Sequence, residues 1–144
     1  MIQRIQTLWL FLTAILAALT FKFPFYVGTW VKDNVQHPQI SLLAYNPSIL
    51  VLIATVIIIV IALISIFLYK NRRQQLLISV LNFIISIVLI YLYYNEIHSH
   101  FLTGSGTLAL TSIFIFLIPI LLILAMRGIN RDIKLLKRAD RLRD

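Results

Sequence analysis

Residues 49–69 read ILVLIATVIIIVIALISIFLY: no charge, and polar atoms only on Thr55, Ser65 and the closing Tyr69. A helix rises 1.5 Å per residue, so ~20 residues cross a hydrocarbon core of ~30 Å. The stretch is long enough to span a bilayer as one helix and too apolar for a soluble surface. Asn46-Pro47-Ser48 precedes it, with proline where a helix has no N–H to lose. Lys70-Asn71-Arg72-Arg73-Gln74-Gln75 follows as a short basic turn. Segments joined by so short a turn are expected to be antiparallel neighbours.

Working outward, three further apolar blocks occupy about 5–21, 76–94 and 108–126. The first is followed by Lys22, Pro24 and the aromatics Phe23, Phe25, Tyr26 and Trp30, and the third closes in Tyr91, Tyr93 and Tyr94. Both resemble the aromatic belts of membrane interfaces. The first block also has the outline of a secretory leader, but Ala17-Ala18-Leu19-Thr20-Phe21 offers no clean small-x-small cleavage site, and an uncleaved helix is expected. With 60% hydrophobic and 12% charged residues, the 144-residue chain is expected to be an all-α membrane protein, a four-helix transmembrane bundle over 1–126 with a basic amphipathic tail over 127–144.

The net charge of +8 does not point to nucleic acid, because it lies between and after the apolar blocks. Arg4, the turn Lys70, Arg72 and Arg73, and the tail Arg127, Arg131, Lys134, Lys137, Arg138, Arg141 and Arg143 fall on one side, against Lys22 and Lys32 on the other. The positive-inside rule then places both termini in the cytoplasm of a bacterial inner membrane, with the basic residues on anionic headgroups. Ile129, Ile133 and Leu136 recur at helical spacing in the tail. That tail is expected either to prolong the fourth span or to lie along the headgroups.

No Asp, Glu, Lys, Arg or His lies in the central part of any block. Proton and ion pathways usually depend on such residues at membrane depth, so charge-moving transport is disfavoured. Small four-span multidrug exporters carry a glutamate in their first helix, where this chain offers only Thr13 and Thr20. The spans hold small and weakly polar residues in register instead: Ser79, Asn82 and Ser86 on the third, Thr55, Ala62 and Ser65 on the second, Ala14, Ala17 and Ala18 on the first. These are expected to be intramembrane packing faces, with hydroxyls and amides bonding across helices. Pro119 should bend the fourth span.

Glu96, His98 and His100 are candidate metal or lipid-headgroup ligands beyond the third block, since alternating spacing in an extended segment would point all three one way. His37 is a further candidate donor. The loop between the first two blocks has strand-like runs at 25–31 and 39–43, which suit a small β-hairpin cap. The absence of cysteine excludes disulfides and thiol chemistry. With no phosphate loop, Ser-His-Asp order or metalloprotease spacing, neither enzyme activity nor a cofactor is expected.

The opening Met1-Ile2-Gln3-Arg4-Ile5-Gln6-Thr7, the turn Asn71-Arg72-Arg73-Gln74-Gln75-Leu76 and the ending Asp140-Arg141-Leu142-Arg143, in that order around four spans, resemble a family of small four-span bacterial inner-membrane proteins, domain of unknown function 4293. The resemblance implies a four-helix bundle and no reaction. It directs attention to one rim, at Arg4, Arg72, Arg73, Arg138, Arg141 and Arg143, where Gln3, Gln6, Gln74 and Gln75 accompany the arginines. The expected function is that of an accessory or scaffold subunit meeting a membrane-protein partner or a second copy. A small oligomeric transporter or channel is one alternative, and periplasm-facing metal or lipid binding at the outer end of the third helix, at Glu96, His98 and His100, is the other.

Overall fold

The computed structural model describes the backbone of residues 3–32, 35–42, 48–101 and 106–143, and the side chains of 5–29, 48–101 and 106–138. Four helices, α1 (Gln3–Leu19), α2 (Ile49–Phe67), α3 (Arg72–His100) and α4 (Ile113–Arg143), alternate in direction, and each packs on its two ring neighbours, with α4 closing back on α1. Three helical stretches are long and apolar enough to cross a membrane: Ile49–Lys70, Arg72–His100 and Leu110–Arg138. The α1 segment Ile5–Leu19 is apolar but shorter.

On α2 and α3 the polar side chains are buried and large apolar ones exposed, the reverse of a soluble bundle. On α3 the buried positions are Gln75, Ser79, Asn82, Ser86, Leu89, Tyr93 and Glu96, while Leu77, Leu81, Ile84 and Val88 are exposed. On α2, Val51, Thr55, Ile58, Ala62 and Ser65 are buried, and Ile53, Val60, Ile64 and Phe67 face outward. The same alternation of steps of four and three runs through Gln6, Leu10, Thr13 and Ala17 on α1, and through Ile115, Ile118, Leu122, Ala125, Ile129 and Asp132 on α4. A seam repeating every 3.5 residues drifts around a 3.6-residue helix unless the helices wrap left-handedly, so this rhythm dictates coiled-coil-like packing with crossings near ~+20°. Small side chains at Ala17, Ala62 and Ala125 let the backbones approach.

Four hydroxyls of this seam do not reach across helices as expected. Thr13, Thr55 and Ser79 donate to the carbonyls four residues back, of Trp9, Val51 and Gln75, and Ser86 donates to Phe83. A short side chain meets its own preceding turn before it meets a neighbour. The seam's amides are long enough to cross: Asn82 Nδ2 donates to the Ile58 carbonyl at 3.4 Å, and Gln75 Nε2 to that of Ser65 at 2.9 Å, both on α2.

The end away from the termini carries a three-stranded antiparallel sheet in the order β2 (Val35–Leu42), β1 (Tyr26–Lys32), β3 (Thr107–Leu108). β3 was not expected, and it corrects the start of the fourth helix from about 108 to Ile113. Between them Ala109 N–H donates to the Phe25 carbonyl at 3.0 Å, Thr111 Oγ1 donates to that of Pro24, and Leu110–Ser112 makes a 3-10 turn that leads into α4. Phe25 inserts between helices and stacks on Tyr93 with ring centroids 4.6 Å apart. The Tyr26 ring meets Phe101 edge-on at 4.9 Å, and a Cβ on Gly106 would stand 2.6 Å from it. Glycine is required there for the sheet to close over the ring.

α3 also outruns its apolar block, reaching His100 where an end near 94 was expected. Tyr93 and Glu96 keep the buried rhythm going past the last apolar run. The tail prolongs α4 without a break through the expected boundary at 126, and Pro119 lies inside that continuous helix.

Overpacking the seam should cost more than any change on its outer face. Ala62→Leu, at a position with no exposure, should destabilise by about 1–3 kcal/mol, and the exposed Val60→Leu by less than about 0.5 kcal/mol. Thermal unfolding of the purified protein in a mild detergent compares the two.

Candidate functional site

The end that carries the chain termini is held by side chains of the rim singled out in the sequence. Asp132 on α4, 3% exposed, is the buried carboxylate there. Gln6 Nε2 of α1 donates to its Oδ2 at 2.6 Å, and the Arg72 guanidinium of α3 lies 3.3 Å from the same oxygen. One carboxylate therefore ties three helices. Charge-assisted bonds of this kind contribute about 1.5–3 kcal/mol each, and they offset the cost of burying the ion.

Gly128 makes the arrangement fit, because a Cβ there would stand 2.8 Å from Gln6 Cγ. α2 joins through Gln75, whose amide donates to Ser65 O, one of the last four carbonyls of α2 and so without a helical partner of the usual kind. Gln74 accepts from Asn71 Nδ2 at 3.2 Å. The glutamines that accompany the arginines thus have structural roles: Gln6 and Gln75 are buried connectors between helices, and Gln74 pairs within the turn. Asp132 was missed by sequence reasoning. The signal was present in the steps Ala125, Ile129, Asp132, which put an acid on the buried stripe of an otherwise basic tail.

Fixing α4 against the start of α3 leaves a cavity of about 470 Å³ between the α2–α3 turn and the tail, lined by Lys70, Asn71, Arg72, Arg73 and Gln74 on one side and Ile133, Leu136 and Lys137 on the other. Of the arginines proposed for the rim, Arg72 and Arg73 meet at this cavity, and Arg138 is exposed on α4. The side chains of Arg4, Arg141 and Arg143, and that of Gln3, lie outside the described residues.

The cluster at the opposite end departs from its expected geometry. Residues 96–100 are helical, not extended, so Glu96 and His100 are one turn apart and paired, Nδ1 to Oε2 at 3.2 Å. The exposed His98 points elsewhere, with its ring 4.8 Å from that of Tyr94. A helix separates alternate residues by ~200° where a strand would align them. Among the described residues no three His, Cys, Asp or Glu side chains converge on a point that could hold a metal ion. The side chain of His37 lies outside the described residues.

Removing Arg72 leaves the buried Asp132 with only an amide donor. Arg72→Ala should destabilise by about 3 kcal/mol, and Arg73→Ala, whose side chain has no carboxylate partner among the described residues, by less than about 0.5 kcal/mol. Detergent-solubilised unfolding curves measure the difference.

Comparison with curated proteins gave no match, and neither did comparison with solved structures. A family model spans nearly the whole chain, matching residues 2–142, and it takes in the basic turn and, except for Met1 and Arg143, the opening and ending segments. The chain belongs to the family described as Domain of unknown function (DUF4293).

Proposed function

We propose that the protein is a non-enzymatic, four-span protein of a bacterial inner membrane, with both termini in the cytoplasm, that serves as an accessory or scaffold subunit of a membrane assembly. The observation that carries this reading is the polarity of α2 and α3: their amides and hydroxyls lie on the buried stripe, while large Ile, Val, Leu and Phe side chains cover the outer faces. Such a surface suits lipid and other apolar helices. α1, with 17 residues, reaches about 25 Å, short of the full core, and the neighbouring belt residues would let it cross with local thinning.

Gln6, Arg72, Gln75 and Asp132 hold helices together at the termini end, and Glu96 is paired within α3 with His100. What remains to meet other molecules is apolar helix face and basic rim, which is the equipment of a packing subunit. Eleven of the thirteen Lys and Arg fall on the termini side, which supports the both-ends-in orientation.

One observation favours a second reading, a small transporter or channel. Asn82 is fully buried and its Oδ1 has no hydrogen-bond partner among the described residues, a free acceptor at mid-helix where a permeating species would pass.

Purification from membranes in mild detergent separates the two. The scaffold reading expects a stoichiometric membrane-protein companion or a defined homo-oligomer, and no solute flux in proteoliposomes. A monodisperse monomer without companions contradicts it. Flux that disappears in Asn82→Leu establishes the transporter reading instead.

A further inference from the structure

The cavity at the termini end gathers four cations, Lys70, Arg72, Arg73 and Lys137, around about 470 Å³. Asp132 is the one carboxylate near them among the described residues, and it is already shared between Arg72 and Gln6. Lys70, Arg73 and Lys137 have no described acidic partner. Lys70, Arg73 and Lys137 are exposed, and cations gathered along one concave face make a positive field that favours an anion there. The cations come from two elements, the α2–α3 turn and the α4 tail, which the Asp132 clamp holds at a set distance. The clamp thus fixes the separation of the two walls, and Arg72 is the cation held in place by a bond of its own.

Two further features specify the occupant. The wall on the α4 side is apolar, made by Ile133 and the half-exposed Leu136. A small inorganic anion has no use for such a wall; an amphiphile does. Lys70, on the cavity wall, directly follows the end of the most apolar helix, where Phe67 and Tyr69 are 78% and 57% exposed. In the membrane placement proposed above, on which this inference rests, that is the depth of the headgroup phosphates. α3 begins at the cavity with no side chain capping its first turn, so its free N–H groups add to the favourable field for an anion.

We propose that this cavity is a specific site for an anionic glycerophospholipid, with the headgroup phosphate between Arg73, Lys137 and Lys70 and the glycerol and upper acyl chain against Ile133 and Leu136. Arg72 is the positioning residue, held by Asp132 and shared between clamp and site. The ligand's source is the bilayer, not dissolved phosphate.

Native mass spectrometry of the full chain in nonionic detergent, titrated with phosphatidylglycerol, phosphatidylcholine or inorganic phosphate, reads the site directly. Phosphatidylglycerol should bind one to one and at least about tenfold more tightly than phosphatidylcholine. The double substitution Arg73→Gln/Lys137→Gln should weaken it by about tenfold or more. Arg131→Gln/Lys134→Gln removes the same charge from exposed positions of α4 that do not line the cavity, and should change it by less than about twofold.

Leu136→Glu, which keeps all four cations, should lose the lipid as fully as the cavity double variant, and it serves if that variant does not fold. Equal weakening by the two double variants would show diffuse charge and overturn the proposal. So would inorganic phosphate that displaces the lipid at comparable concentration. Failure of the chain to partition into membranes at all would instead overturn the membrane placement, and the two failures are distinct.

Discussion

A carboxylate buried among apolar helices must be surrounded by donors or it unfolds its own surroundings, and the Asp132 oxygen shared by Gln6 and Arg72 meets that requirement at the end that carries the chain termini. The bond lengths set the spacing of α1, α3 and α4 there, and Gln75 brings in α2 through a carbonyl that α2 leaves open. The aromatic plug of Phe25 on Tyr93 plays the corresponding part at the sheet end. Between these two closures the helices are joined by close van der Waals packing and few cross-helix bonds, of which Asn82 to Ile58 is one. Close packing of this kind suits the membrane placement proposed above, where burying apolar surface gives no advantage because the solvent is itself apolar.

The clamp also explains why the tail is helical well beyond the last apolar residues. An isolated stretch rich in Arg and Lys is a poor candidate for a stable helix. Here it continues an existing helix, buries Ile129 and Asp132, and is pinned by a bond to α1. The basic cavity follows from the same geometry, because α4 is carried past the α2–α3 turn at fixed separation. Stability of the fold and shape of the candidate site therefore share a residue, Arg72.

Much of this architecture was legible in the apolar blocks, since their length and purity are direct physical consequences of the solvent they meet. Ser79, Asn82 and Ser86 could be read as an inward face because three- and four-residue steps leave no other arrangement. Three features were not legible. The start of α4 depends on β3 pairing with β1 across 80 residues, which no local periodicity records. The geometry of Glu96, His98 and His100 was misread because polar composition was taken to end the helix, whereas the buried Tyr93 and Glu96 extend it. Asp132 was overlooked because its charge was counted with a basic tail, although its place on the stripe of Ile129 marks it as buried.

The central claim is that Gln6 and Asp132 stabilise the fold through each other. A double-mutant cycle of Gln6→Leu and Asp132→Leu, read by reversible unfolding in detergent, tests it most directly. Each single substitution strands a buried polar group and should be destabilising, while the double variant should be less destabilised than the sum of the two by about 1.5 kcal/mol or more. Additive effects, with no coupling between the two positions, would contradict the account.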